Sequence, residues 1–319
     1  MKTFMVEDFS APARLCDQPR PEPAAGEALV RLHACGLNFA DLLMLKGKYQ
    51  DTPALPFVPG LEAAGVVEAL GPETEGPKVG TRVAVYSGQG GLAEYGCFPT
   101  SRLVEIPKNM SFEQAAAFQI AYGTSHVALQ HRAHLQPGET LLVLGAAGGV
   151  GLTAVEIGKL MGARVIACAR SAEKLDAAKN AGADHLINTS TQGLRETVKA
   201  LGGADVVYDP VGGPLWKEAF RACNPEARLI PIGFASGDVP QIPANHLLVK
   251  NLTVVGLYWG GYLKFRPDVL TDSMQILLNW FSEGKLRPHI SHSFPLSQVD
   301  QGLDLLESRR STGKVVITL

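Results

Sequence analysis

Gly145-Ala146-Ala147-Gly148-Gly149-Val150-Gly151 stands between an apolar run, Leu141 to Leu144, and a helix-like stretch that continues to Met161. A second apolar run then ends at Arg170. Strand, tight glycine turn, helix, strand is the order that seats a dinucleotide pyrophosphate on a helix N-terminus. In that reading Gly148 lets the backbone approach the phosphates and Gly151 lets the helix pack closely on the strand. Ala147, Gly149 and Val150 complete the cradle. Ala146 stands where the first glycine of G-x-G-x-x-G is usual, so the motif departs from its pattern by one methyl group.

The end of the second strand selects the cofactor. An acidic residue about 20 positions on would accept hydrogen bonds from the adenosine ribose of NAD. Arg170 stands there instead, followed by Ser171 and Lys174, with no carboxylate before Glu173. Two cations and a hydroxyl suit a 2′-phosphate, so NADPH is the expected cofactor; a solvated arginine is the plain alternative. Gly233 and Phe234 follow the fifth expected strand at its carboxyl end, where ligands bind in such sheets. Phe234 there covers the cofactor or is a surface-loop aromatic.

A chain of 319 residues, 46% hydrophobic, is long enough for two domains with a large core. A net charge of −2 offers no basic footprint for nucleic acid. No run of about 18 apolar residues occurs, so no membrane partner is expected. Met1 to Asp8 carries charges where a secretory leader needs its apolar run. The five cysteines, Cys16, Cys35, Cys97, Cys168 and Cys223, are scattered and never form a C-x-x-C pair. They read as reduced thiols of a cytoplasmic protein.

Up to about residue 118 the chain is rich in turn formers, with strands expected at 27–34, 64–70 and 82–86. From about residue 119, helices alternate with six short apolar strands at 141–144, 164–169, 185–187, 204–208, 227–232 and 252–257, the pattern of a parallel doubly wound sheet. A long amphipathic helix over 267–284, a helix over 298–308 capped by Ser297 and a last strand over 314–318 break that alternation and are expected to return to the first domain. The domains so drawn are 1–118 with 262–319, and 119–261.

Within the first domain the residues Asn38-Phe39-Ala40-Asp41, Gly47-Lys48-Tyr49 and Pro56-Phe57-Val58-Pro59-Gly60-Leu61-Glu62-Ala63-Ala64-Gly65-Val66-Val67 stand in order. Together with the turn at 145–151, and the ending Glu307-Ser308-Arg309-Arg310 and Gly313-Lys314-Val315-Val316, this resembles the zinc-free quinone oxidoreductase branch of the medium-chain dehydrogenase/reductase superfamily over essentially the whole chain. The resemblance implies a Rossmann doubly wound parallel-sheet domain inserted in a β-rich, GroES-like catalytic domain. Related reductases pair through the edge strand of the cofactor domain, here 252–257, so a homodimer is expected.

The zinc alcohol dehydrogenase pattern would place a Cys ligand at Asn38 and a His ligand at Leu61. Catalytic zinc needs three N, O or S ligands and an open position, and leucine supplies none. The closely spaced cysteines of that family's structural zinc lobe are also missing. His131 and His134, and His289 and His292, have no Cys or carboxylate partner nearby in sequence. No metal is expected. Glu62 then reads as a structural hydrogen-bond acceptor or a proton-handling group.

Without a Lewis acid an alkoxide has nothing to stabilise it, whereas a quinone or an α,β-unsaturated carbonyl accepts hydride directly once oriented, shielded from water and given an oxyanion donor. The branch pattern puts Asn38 and Tyr49 beside such a small-molecule electron-poor acceptor as the catalytic donors. Asn38 also lies toward the nicotinamide, where Thr124 fixes its ribose or ring and Leu257 and Tyr258 stand at a strand end. Plain alternatives are a helix N-cap for Asn38 and packing for Tyr49. Lys314 either reaches a cofactor phosphate or is solvated at the start of an edge strand. A short-chain dehydrogenase would need Tyr-x-x-x-Lys, and none of the seven tyrosines has lysine four residues later. An enone or enoyl-thioester reductase, or a non-catalytic NADPH-binding protein, remains the competing reading.

Overall fold

Leu141, Leu142 and Val143 are fully buried, as a strand with helices on both faces requires. This strand, Thr140–Val143, sits in a six-stranded parallel sheet whose order is His185–Asn188, Arg164–Ala169, Thr140–Val143, Ala204–Asp209, Cys223–Pro231 and Thr253–Val254. The strands therefore run 3-2-1-4-5-6, the dinucleotide-binding order of a doubly wound sheet. The computed structural model describes residues 1–319, and they divide into two compact units. Met1–Ile120 with Pro288–Leu319 carries the residues expected to be catalytic and is termed the catalytic unit; Ala121–Arg287 carries most of those expected to hold the cofactor and is termed the cofactor unit.

The second crossing lies 26 residues beyond the boundary at 261/262 that the sequence suggests, since the cofactor unit ends at Arg287. The helix Pro267–Ser282 has the apolar stripe Val269, Leu270, Ser273, Met274, Leu277, Phe281, which marks a helix without naming its partner. Its partner is within the cofactor unit: His126 Nδ1 lies 2.8 Å from Ser273 Oγ, and the His126 ring meets Trp280 edge-on at 5.4 Å. Burial pushes His126 down to about 4, so it is a neutral packing group.

The catalytic unit is built on a seven-stranded sheet. Its path is Ile290–Pro295, Lys314–Thr318, Glu27–Leu37, Glu62–Leu70, Arg82–Tyr86 and Leu103–Glu105, and Tyr95–Pro99 pairs with Glu27–Leu37. The C-terminal strand Lys314–Thr318 is thus internal, parallel to Ile290–Pro295 and antiparallel to Glu27–Leu37. That corrects the expectation of an edge strand, and its first four residues are buried.

Two further local expectations change. A 3-10 turn, Leu296–Gln298, absorbs Ser297, and the helix Val299–Glu307 starts after Gln298 without a side-chain cap. The sixth cofactor strand shrinks to Thr253–Val254. Val255 still donates to Leu229 O at 2.8 Å, but Gly256 O turns to Arg132 Nε at 3.3 Å, which ends the ladder before Leu257. No helix is long and apolar enough to cross a membrane.

Candidate functional site

In the cofactor unit the turn after Thr140–Val143 uses Gly145 at φ +57 and an extended Gly148 as the cap of helix Gly149–Leu160. No side chain caps this helix and no acid lies in its first turn. The first amides of such a helix have no intrahelical partner, and the dipole there favours an anion. The two glycines have different duties. A Cβ on Gly151 would lie 2.3 Å from Gly145 O, whereas a Cβ on Gly148 would meet that oxygen only at 3.4 Å. Gly151 is demanded by the chain's own packing; Gly148 keeps open a space on the exposed side. Ala146 needs no glycine: it is fully buried and its N–H donates to Cys168 O at 2.9 Å.

A buried hydroxyl network holds the first turn of this helix. Ser125 Oγ lies 2.8 Å from Thr153 Oγ1 and 2.9 Å from Tyr208 Oη, and both Ser125 Oγ and Thr153 Oγ1 lie 3.0 Å from Val150 O. Thr124, the residue singled out from sequence, is buried beside Ser125 but joins none of these bonds. Ser125, Thr153 and Tyr208 went unseen because no local spacing connects them.

The other expected cofactor residues follow the carboxyl ends of neighbouring strands. Arg170 is exposed after Arg164–Ala169 and pairs with no carboxylate. Ser171 caps the helix Ala172–Asn180, its Oγ accepting from Lys174 N at 3.4 Å. Gly233 N donates to Asp209 O at 3.3 Å, and Phe234 is 41% exposed. Leu257 and Tyr258 are half-buried beyond the sixth strand. Asp209, at the end of Ala204–Asp209, was not anticipated. Its Oδ1 accepts from Val211 N and Gly212 N, while its buried Oδ2 has no protein partner. Burial raises the Asp209 pKa.

In the catalytic unit the strand register gathers a polar cluster. Val315 faces Leu37, Gly36 faces Glu62 and Glu62 faces Tyr86, so Lys314, Asn38, Glu62 and Tyr86 share one end of four adjacent strands. Lys314 Nζ donates to Glu62 Oε1 at 2.8 Å and to Asn38 Oδ1 at 2.7 Å. The lysine and glutamate side chains are only 8% and 1% exposed. This corrects the view of Lys314 as solvated or phosphate-bound; an internal strand carries it inside.

Asn38 is corrected as well. An ammonium can only donate, so the amide oxygen faces Lys314 and the amide nitrogen faces Glu62 Oε1 at 3.0 Å and Gly36 O at 3.1 Å. Both amide hydrogens are engaged inside the protein, leaving none for a substrate oxygen. Glu62 Oε2 accepts from Ile120 N at 3.0 Å. Asp41 closes the cluster below Asn38, accepting from Asn38 N at 2.8 Å and Gly60 N at 3.2 Å. Burial pushes its carboxyl up to about 7. Tyr49 is half-buried, and burial, with Tyr49 and Asp51 nearby, pushes the Tyr86 phenol up.

The donor set does not fit zinc. Leu61 is buried and offers no ligand, and the Glu62 carboxylate already holds an ammonium. No three His, Cys, Asp or Glu side chains come together as a ligand set.

Residues 24–108 match the family model described as alcohol dehydrogenase GroES-like domain, and residues 149–278 that described as zinc-binding dehydrogenase. The chain is 45% identical to the quinone oxidoreductase-like protein 2 homolog of Nematostella vectensis, over 99% of this chain and 86% of that one. The quinone oxidoreductase of Thermus thermophilus, whose structure is known with NADPH, superposes with a TM-score of 0.89 at 35% identity, covering 100% of both chains. Escherichia coli quinone oxidoreductase complexed with NADPH superposes at 0.91 with 29% identity, again over 100% of both.

Proposed function

The chain belongs to the medium-chain dehydrogenase/reductase family and is of its quinone oxidoreductase type, and we propose that it is an NADPH-dependent reductase of quinones or related electron-poor carbonyl compounds that works without a metal. The observation that carries the acceptor half is the donor set at Glu62, where a buried leucine and a bound ammonium replace what an alcohol-activating metal would need. The cofactor half rests on the uncapped helix, the space at Gly148 and the unpaired Arg170.

NADPH supplies a hydride. The amides of 148–151 hold its pyrophosphate, Arg170, Ser171 and Lys174 its 2′-phosphate, and Thr124, Phe234, Leu257 and Tyr258 its remaining length. Asp209 Oδ2, buried without a protein partner at the carboxyl end of an internal strand, is an added acceptor for a ligand N–H or O–H. Tyr49 donates toward the acceptor, while Asn38 organises Lys314 and Glu62.

The test is NADPH oxidation by the purified protein across quinones, enones and enoyl thioesters. Turnover with quinones above the other two supports the reading; preference for enoyl thioesters reassigns the acceptor, and no turnover with any acceptor removes it. A homodimer through the open edge beside Thr253–Val254 is part of the proposal. Leu248 and Val249, 77% and 71% exposed on the helix Ala244–Lys250 that precedes this strand, supply apolar surface for it.

A further inference from the structure

We propose that Lys314 is a catalytic residue: its ammonium donates a hydrogen bond to the acceptor oxygen while negative charge grows there. The inference rests on the reductase reading above. An ammonium has three donors. Two are engaged by Glu62 Oε1 and Asn38 Oδ1, and the third has no protein acceptor. In the triad this is the only polar hydrogen left, because Asn38 gives both amide hydrogens to Glu62 and Gly36 and Glu62 is engaged at both oxygens.

A purely structural role accounts poorly for this arrangement. A buried ion pair contributes little to stability that a well-packed apolar pair would not match. Here the pair lies at the strand ends shared with Tyr86, whose surroundings include Tyr49, the expected substrate contact. A fixed cation in a dry setting stabilises developing negative charge more strongly than the same group in water. The chain's own ammonium then does what a Lewis acid does elsewhere.

The step balances without a further reactant. The acceptor takes up a hydride from NADPH, which becomes NADP+, and its reduced oxygen takes a proton from water. Lys314 remains protonated throughout and keeps Glu62 as its counter-ion.

The test pairs Lys314→Met with Glu62→Gln, so that neither charge is left unpaired, and follows turnover, NADPH affinity and Tm. The double variant should stay folded at the assay temperature and keep NADPH affinity, with one Glu62 acceptor oxygen lost, while its turnover with enones falls about 100- to 1,000-fold, the usual loss for an oxyanion donor. Wild-type turnover in the double variant, or a loss that follows NADPH affinity or Tm, overturns the inference. In Lys314→Ala, added ethylammonium should raise turnover; restoration of Tm alone would mark the lysine as structural and overturn it too. Lack of any turnover by the unmodified protein removes the reductase reading itself, whereas a wild-type activity that survives both substitutions removes only the role of Lys314.

Discussion

A Cβ on Gly151 would stand 2.3 Å from the carbonyl oxygen of Gly145, while one on Gly148 would keep 3.4 Å from the same atom. The two positions therefore answer differently to the same substitution. Gly151→Ala forces helix and turn apart and should destabilise by about 1–3 kcal/mol, the usual cost of overpacking. Gly148→Ala should leave Tm nearly unchanged and weaken NADPH, because its methyl enters the space kept for the phosphates. Thermal unfolding and NADPH titration of both variants check this; equal Tm losses would mean that Gly148 is also a packing residue.

Arg170 has no carboxylate partner, so its loss should be felt only by a cofactor with a 2′-phosphate. Hydrogen bonds to charged groups contribute about 1.5–3 kcal/mol, roughly 10- to 150-fold in affinity. Arg170→Ala is expected to weaken NADPH by that factor and to leave NADH within about twofold. Equal binding of the two cofactors by the unmodified protein would remove the 2′-phosphate from the argument.

What could be read in advance follows from how local each signal is. The Gly145 to Gly151 turn is contiguous, and its strand and helix carry their own periodicity, so the strand–turn–helix unit and the sheet class were legible. Lys314 was not, since its burial depends on Lys314–Thr318 lying between Ile290–Pro295 and Glu27–Leu37, a pairing across nearly the whole chain. The same holds for Asn38: its type signals both cap and donor, but only the placement of Lys314 and Glu62 fixes where its amide points. The helix Pro267–Ser282 displayed its stripe plainly, yet its unit is decided by His126 and Trp280.

Asp41 makes stability depend on pH. Burial raises its pKa from 3.8 to about 7, so the folded state holds the proton more tightly than the unfolded chain. Its stabilising contribution is therefore complete below about pH 4 and is lost as pH rises through 7. At 1.36 kcal/mol per unit the change is on the order of 4 kcal/mol. Asp41→Asn cannot ionise and keeps only one of the two acceptor oxygens that Asn38 N and Gly60 N now use, a loss that does not depend on pH. The difference in unfolding free energy between wild type and variant should shift by that order between pH 4 and 8 in favour of the variant; a pH-independent difference would show that Asp41 keeps an ordinary pKa.

Metal analysis is expected to find well under one zinc per chain, with activity unchanged by chelators. The reason is chemical: Leu61 cannot ligate, and a dication near Glu62 would face the Lys314 ammonium that now sits 2.8 Å from Oε1. Restoring ligands should not suffice either. Leu61→His alone leaves the ammonium in place, and zinc affinity should rise only when Lys314 is neutralised as well. Stoichiometric zinc in the unmodified protein that tracks with activity would refute the metal-free reading.

Assembly is the remaining expectation. Thr253–Val254 pairs only with Cys223–Pro231 and leaves its other side open, and an open strand edge invites pairing with another chain. The strand is short, so backbone pairing across a two-fold axis would add few hydrogen bonds. Apolar burial must supply most of the association, and the exposed Leu248 and Val249 are the natural source. Leu248→Glu with Val249→Lys should shift sedimentation from dimer to monomer at micromolar concentration without lowering NADPH affinity, since both residues lie outside the phosphate cradle. A monomer in the unmodified protein would oppose the proposal directly. A dimer that survives the double substitution would place the interface elsewhere on the chain.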